Sequence, residues 1–321
     1  MENTHKKNKG VSVIICCYNS AERLPETLRH ISKQKYLDNT SWELIIVNNN
    51  STDNTAEVAE RCWLEYGSTT VLKLINEPSP GLTNARIAGI KNSSYEYIIF
   101  CDDDNWLGPS YLYNVIKLLN NRSNIGIVGP SKMEAVYESP KPKWLEGHEH
   151  LLCVYDKKQN EIIINKNDTI DLLAGAGMGV RKKILIQYLD EIEKNKQRLV
   201  LDRSPLHMLS GGDVDICLVA LKLGYNLLYT NELNLKHFIP AFKLKKQYLL
   251  RLYEGMAYSN VLLNHFNEKP LPKEWTMPGL AKHILVHCFG KPFKLQLLLS
   301  GIKGRRKGMN FLSEKIKTIQ E

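Results

Sequence analysis

Apolar residues fall into short unbroken runs, separated by stretches of helical period, over the first hundred positions. Residues 11–18 (VSVIICCY) and 42–47 (WELIIV) lack the alternation of a half-exposed strand and predict strands buried on both faces, and residues 71–76 and 95–101 (YEYIIFC) predict a third and a fourth strand. Between them, Leu24, Leu28 and Ile31 recur at helical spacing within residues 20–35, and helices are predicted over 54–66 and 81–91 (GLTNARIAGIK). Strands alternating with helices, without hairpin turns, predict an α/β fold: a mostly parallel central sheet covered by helices on both sides.

The pattern loosens after residue 101. A helix over 114–120, a strand over 125–128, a loop-rich stretch over 131–171 with a hairpin around 157–164, helices over 182–194 and 211–223, and a strand over 226–230 are predicted. Residues 172–180 (LLAGAGMGV) form a glycine-laced segment. The expected organisation is one α/β domain over residues 1–240 and a basic helical C-terminal extension over 241–321.

Charge sharpens that division. Residues 236–321 carry 16 Lys+Arg against 5 Asp+Glu, whereas residues 1–235 carry 27 against 29, so the net +9 belongs to the tail. A basic tail with apolar helical stretches predicts peripheral contact with an anionic membrane surface; a solvated helix without a partner explains the same composition. No nucleic-acid motif occurs, and no run reaches the roughly 18 apolar residues of a membrane span. Residues 1–10 are polar and basic without an apolar run of the signal-peptide kind, and the seven scattered cysteines read as reduced core thiols. A cytoplasmic protein, at most peripheral to the inner face of a membrane, is the expectation.

Polar clusters follow three predicted strands: Tyr18-Asn19, residues 48–53, and Asp102-Asp103-Asp104. In an open α/β sheet such strand ends share one rim, where ligands bind. Three adjacent carboxylates repel one another unless a cation offsets them, which suggests a hard divalent ion whose remaining ligands are diphosphate oxygens and water. A solvated acidic turn, or a cap for a helix over 105–119, accounts for them without a ligand. Arg86 can reach phosphate from the same side or form a surface ion pair. Asp213 and Asp215 stand in an apolar setting, where a carboxylate can accept a proton from an alcohol or simply cap a helix. His237 is open to a structural or a metal-site reading, and Trp144 to a sugar-stacking or a core reading. His148, His150 and Cys153 are too tightly spaced for a zinc site. The GAGMG of residues 175–179 lacks the spacing of a dinucleotide fingerprint, and no GxSxG nucleophile motif occurs.

SVIICCYNSAERLPETL, LIIVNNNSTDNT, GLTNARIAGI and YIIFCDDDNWLGPSYL, followed by LAGAGMGVRKKIL, SGGDVDICLVALKLGY and KHFIP, together resemble the family 2 glycosyltransferases of GT-A fold over roughly residues 11–240. The resemblance implies an inverting transfer from a nucleotide-sugar, most simply a UDP-sugar, to a glycan or lipid-linked acceptor in surface polysaccharide synthesis, with Mn²⁺ or Mg²⁺. It places Tyr18, Asn48, Arg86, Asp102 and Asp103 at the nucleotide-sugar, Asp104 and His237 at the metal, and Asp213 as catalytic base. Two positions depart from the family pattern. Asn48-Asn49 replaces an acidic pair, and Gly212 stands where a glutamate usually precedes the base. A catalytically inactive glycan- or nucleotide-binding scaffold and another sugar-nucleotide enzyme are the alternative readings.

Overall fold

The computed structural model describes residues 10–35, 41–168, 172–204, 207–273 and 275–320. The reading of residues 1–9 lies outside them. The chain enters through β1 (Gly10–Cys17), α1 (Leu24–Ser32), β2 (Ser41–Asn49), α2 (Thr55–Glu65), β3 (Leu72–Glu77), α3 (Leu82–Asn92) and β4 (Tyr97–Asp102), as the pattern predicts. A three-residue strand β5 (Asn105–Leu107) follows the aspartates, and α4 (Tyr111–Asn121) begins only after it. Then come β6 (Ile125–Pro130), β7 (Lys132–Tyr137), β8 (Tyr155–Asp156), β9 (Glu161–Ile164), β10 (Gly179–Arg181), α5 (Lys182–Lys194), α6 (Gly212–Lys222), β11 (Asn226–Thr230) and β12 (Leu235–Ile239).

Eight strands form the main sheet in the order β3-β2-β1-β4-β10-β6-β11-β9. β1 runs parallel to both β2 and β4, and β2 to β3, whereas β10 and β9 are antiparallel to their neighbours. The unbroken apolar runs have a simple cause. Val11, Val13 and Ile15 face a core built with α1, α2 and α4, while Ile14, Ile45 and Ile98 face a second core built with α3, α5 and α6.

A smaller sheet, β5-β12-β7-β8, was not expected from the sequence. Its strands are short, and β12 sits in LKHFIP, a segment without a clear period. The predicted hairpin around 157–164 is corrected here: β8 pairs with β7 in the small sheet, whereas β9 pairs with β11 in the large one.

Beyond residue 240 come α7 (Lys246–Phe266), α8 (Met277–His283) and α9 (Pro292–Gln320). α7 and α9 pack closely through glycines: a Cβ on Gly304 would lie 2.1 Å from the Glu254 carbonyl oxygen. Glu254 also receives Lys303 and Lys307 at 3.0 and 2.6 Å. The helices do not stand apart from the α/β body. Leu249, Leu252, Phe293 and Leu297 share a cluster with Leu145, Leu151 and Leu152, and Val261, Leu262 and Leu312 share another with Leu201 and Leu209.

Candidate active site

The chain runs outward from β1 to β2 and β3, then returns to the other side of β1 as β4. That reversal leaves a crevice at the carboxyl ends of β1 and β4, the place where an open α/β sheet receives a ligand. A cavity of about 470 Å³ lies there, lined by Tyr18, Arg86, the three aspartates, Gly175, Asp213, His237 and Lys243 among others. The volume suits a small-molecule or cofactor site. Cys16 and Cys153 also line it, but burial pushes both thiols up to about 12, which leaves no thiolate to act as a nucleophile at neutral pH.

The three aspartates have three environments. Asp102 ends β4; burial and then the Asp104 charge push its carboxyl above the usual range. Asp103 turns toward α1, where its Oδ2 accepts from Arg23 Nη2 at 2.6 Å and from the Ser20 hydroxyl. The same residue's carbonyl accepts from Thr27 Oγ1 at 2.9 Å. Asp104 is buried, its Oδ2 2.6 Å from Lys243 Nζ and its Oδ1 3.4 Å from His237 Nε2. Burial alone raises its pKa, but the Lys243 ammonium and His237 outweigh burial and hold the carboxyl well below the usual range. β12 delivers His237 by pairing antiparallel to β5, with His237 opposite Asn105.

Arg86 rises from α3 and is 4% exposed. Instead of a surface ion pair it forms a buried one: its Nη1 lies 2.7 Å from Asp202 Oδ2. Burial lowers its pKa, but Asp202 and Asp213 raise it further, so the guanidinium stays charged. Asp202 also accepts from Gly212 N–H at 3.1 Å and from Thr83 Oγ1 at 3.2 Å. Gly212 has no room for a side chain, since a Cβ there would lie 2.1 Å from Asp202 Oδ2. The Asp202 carboxylate thus fills the space that a side chain at 212 would enter.

Asp213 lies in the first turn of α6. Its Oδ2 accepts from Gly175 N–H and its Oδ1 from Val214 N–H, both at 2.8 Å. The glycine-laced segment allows this approach, because a Cβ on Gly175 would lie 2.6 Å from Arg86 Nη2. Arg86, Asp202, Gly175 and Asp213 therefore form one contiguous wall, with the aspartate rim also lining the cavity.

Asn48, Trp144 and Asp215 lie outside the cavity lining, whereas Asn49 and Tyr18 belong to it. Asn48 is not among the cavity-lining residues; its Nδ2 donates to Asn76 Oδ1 at 3.1 Å, and its own Oδ1 is buried without a partner. Asn49 does line the cavity, with its amide spent on the 77–81 loop through Glu77 O, Ser79 O and Gly81 N–H. Asp215 is fully buried and pairs with Arg198. Trp144 packs edge-on against Phe293 at 4.8 Å, the core reading. Tyr18, half exposed, stands at the cavity mouth.

Asp202 and Lys243 were not foreseen. The one signal for Lys243 is its place six residues beyond His237, in a basic stretch read only as tail. Asp202 lies between a loop and a helix with no motif around it, and only folding brings it to Arg86. Among the described residues, no group of three His, Cys, Asp or Glu side chains is arranged to hold a metal by itself.

The fold and several partial relatives agree. A poly-β-1,6-N-acetyl-D-glucosamine synthase of Staphylococcus epidermidis is 30% identical over 129 residues, 40% of this chain and 30% of its own length. The Escherichia coli protein WfgD, a UDP-Glc:α-D-GlcNAc-diphosphoundecaprenol β-1,3-glucosyltransferase, is 29% identical over 38% of this chain and 52% of its own. The chain thus spans about a third to a half of these relatives. Among solved structures, the Pyrobaculum calidifontis mannosyltransferase PcManGT, in complex with GDP-Man and Mn²⁺, superposes with a TM-score of 0.56 at 16% identity, covering 95% of this chain and 88% of that one. Residues 1–349 of Staphylococcus aureus TarS with UDP give 0.51 at 15% identity, covering 89% and 75%. The architecture is therefore that of the GT-A glycosyltransferases. The profile of glycosyl transferase family 2 matches residues 12–189, more than half of the sequence, and the chain belongs to that family.

Proposed function

We propose that this protein is an inverting glycosyltransferase that moves a sugar from a nucleotide-sugar, in the first instance a UDP-sugar, to a glycan or lipid-linked acceptor of a surface polysaccharide. One observation carries the reading: a single cavity holds both the aspartate rim at the end of β4 and the Asp213 carboxylate on the wall. The relatives' names, a polymer synthase and a diphosphoundecaprenol glucosyltransferase, support the substrate class.

The residues divide the work by charge. Asp213, held by two backbone N–H groups, takes the proton of the acceptor hydroxyl as that oxygen attacks the anomeric carbon. A single displacement inverts that centre. Negative charge builds on the leaving diphosphate, and Lys243 and Arg86 supply fixed positive charge along the same cavity. Asp103, which lines the cavity beside the donor site, also keeps the rim in shape through its ion pair to Arg23. Tyr18 at the mouth offers a ring face to the base.

A divalent ion fits the Oδ1 side of Asp104, facing His237, while the Lys243 ammonium holds the Oδ2 side. Asp104 and His237 present a carboxylate and an imidazole 3.4 Å apart, and the His237 Nδ1 is buried without a partner. Two protein ligands suit an ion that completes its shell from diphosphate oxygens and water. Asp104 and His237, with Asp102 lining the same cavity, would hold Mn²⁺ or Mg²⁺, which would supply Lewis-acid stabilisation of the diphosphate.

The test is donor hydrolysis and transfer with UDP- and GDP-sugars, with and without Mn²⁺, on the wild type and Asp213→Asn. The expected outcome is UDP binding retained in the variant and turnover lowered by about 10²–10⁴-fold. Full turnover in Asp213→Asn rejects the base assignment. Absence of metal-dependent nucleotide binding favours the inactive scaffold.

A further inference from the structure

The segment after α7 leaves an apolar surface that none of the described residues covers. α8 has no buried residue along Met277–His283 and continues into a π-helical turn, Ile284–Cys288. A helix that buries none of its own side chains gains nothing from the core. Met277 and Phe289 are each 79% exposed, Leu285 68% and Val286 61%, all within thirteen positions of the chain. Trp275 stands at the same end, its ring 5.0 Å from that of His283. Isolated exposed apolar side chains are ordinary, but a cluster of this kind marks a contact surface.

The charge along this part of the chain is mostly positive. Residues 273–314 contain eight Lys and Arg against two Glu, and the two glutamates stand near its ends, at 274 and 314. Lys303 and Lys307 are spent on Glu254, so they are not the free charges. Lys282, Lys291 and Lys294 are exposed and have no ion-pair partner among the described residues. An apolar edge flanked by unpaired cations complements a layer that is oily inside and anionic at its surface. It does not complement an acidic protein alone, which would leave Phe289, Leu285 and Met277 in water.

The segment leads into α9, which is fixed to the site. Phe293 and Leu297, at the start of α9, join the cluster containing Leu151, Leu152 and Leu252. Those three leucines line the cavity. No helix among the described residues is long and apolar enough to cross a membrane, so the cluster meets a bilayer only from one side.

We propose that Met277, Leu285, Val286 and Phe289 insert into the headgroup layer of an anionic bilayer, with Lys282, Lys291 and Lys294 on its phosphates. Resting on the transferase reading, this places the cavity at the surface where a lipid-linked acceptor resides, and it assigns the membrane contact expected of the basic tail to residues 275–294.

Flotation of the full chain with phosphatidylcholine vesicles, with and without phosphatidylglycerol, tests the proposal. Binding is expected only with phosphatidylglycerol, weakening as salt screens the cations. Leu285→Asp with Phe289→Asp, and separately Lys282→Glu with Lys291→Glu, should each lower binding by about tenfold or more, with unchanged circular dichroism because these side chains are exposed. Binding that ignores lipid charge, or that survives both double variants, overturns it. So does a dimer in light scattering that Phe289→Asp dissolves, which assigns the surface to a second copy. Donor hydrolysis in vesicle-free solution is read separately, so a failure of the transferase assignment is distinguishable from a failure of this one.

Discussion

Replacing Asp202 by alanine removes the carboxylate that holds Arg86 inside the protein. The two side chains are 5% and 4% exposed, and their charged atoms lie 2.7 Å apart. Removing one partner of such a pair leaves an uncompensated buried charge, at a cost of about 3–5 kcal/mol. Against a total stability of roughly 5–15 kcal/mol, that is a large part of the whole. Gly212→Ala probes the same space from the other side. In an ordinary helical position alanine in place of glycine stabilises by about 1 kcal/mol. Here the new Cβ would lie 2.1 Å from Asp202 Oδ2, so a destabilisation of about 1–3 kcal/mol is expected instead. The two changes share one cause and must not add: in the Asp202→Ala background the space is open, and Gly212→Glu returns a carboxylate toward Arg86. Urea unfolding of the single and double variants gives the coupling, and donor hydrolysis shows whether recovery of Arg86 recovers turnover. Gly212→Ala as stable as the wild type, or strictly additive variants, would refute the reasoning.

Asp104→Ala should abolish any dependence of UDP binding on Mn²⁺, measured by calorimetry, while Lys243→Ala should weaken UDP binding in the absence of metal; equal affinities in all three proteins would remove both residues from the diphosphate site. Glu43 tests the sheet. Burial raises its pKa, but Lys73 at 2.6 Å, Ser12 and Ser94 outweigh burial and hold the carboxyl low. A depressed folded pKa contributes stability above the unfolded value of about 4.3, lost as pH falls through the folded value. Glu43→Gln should therefore lose stability at pH 7 and less at pH 3, and a constant difference across that range would contradict the ion-pair account.

The first seven elements of the main sheet and its helices were legible because both faces of β1, β2 and β4 are buried, and burial on both faces writes itself as unbroken apolar runs. The aspartate rim was legible for a related reason: a strand that stops in three carboxylates announces its end. β5, β12 and the small sheet were not, because two- to six-residue strands carry too few positions to show a period. The hairpin reading of 157–164 failed because sequence shows two strand-like pieces and a turn, but not that the pieces pair with different partners.

Sequence by itself determined the α/β class, the rim of polar loops, the candidacy of Asp102, Asp104 and Asp213, and the excess of positive charge after residue 235. Only the tertiary structure decided what each charge does. Asp103 and Asp104 are neighbours in the chain, yet one turns to Arg23 and the other to Lys243 and His237, because the chain reverses at these two residues in the turn between β4 and β5. Arg86 and Asp202 are 116 residues apart, and nothing local marks them as a pair. A buried charge must find its counterion wherever the fold brings one, and that choice is made across the chain rather than along it.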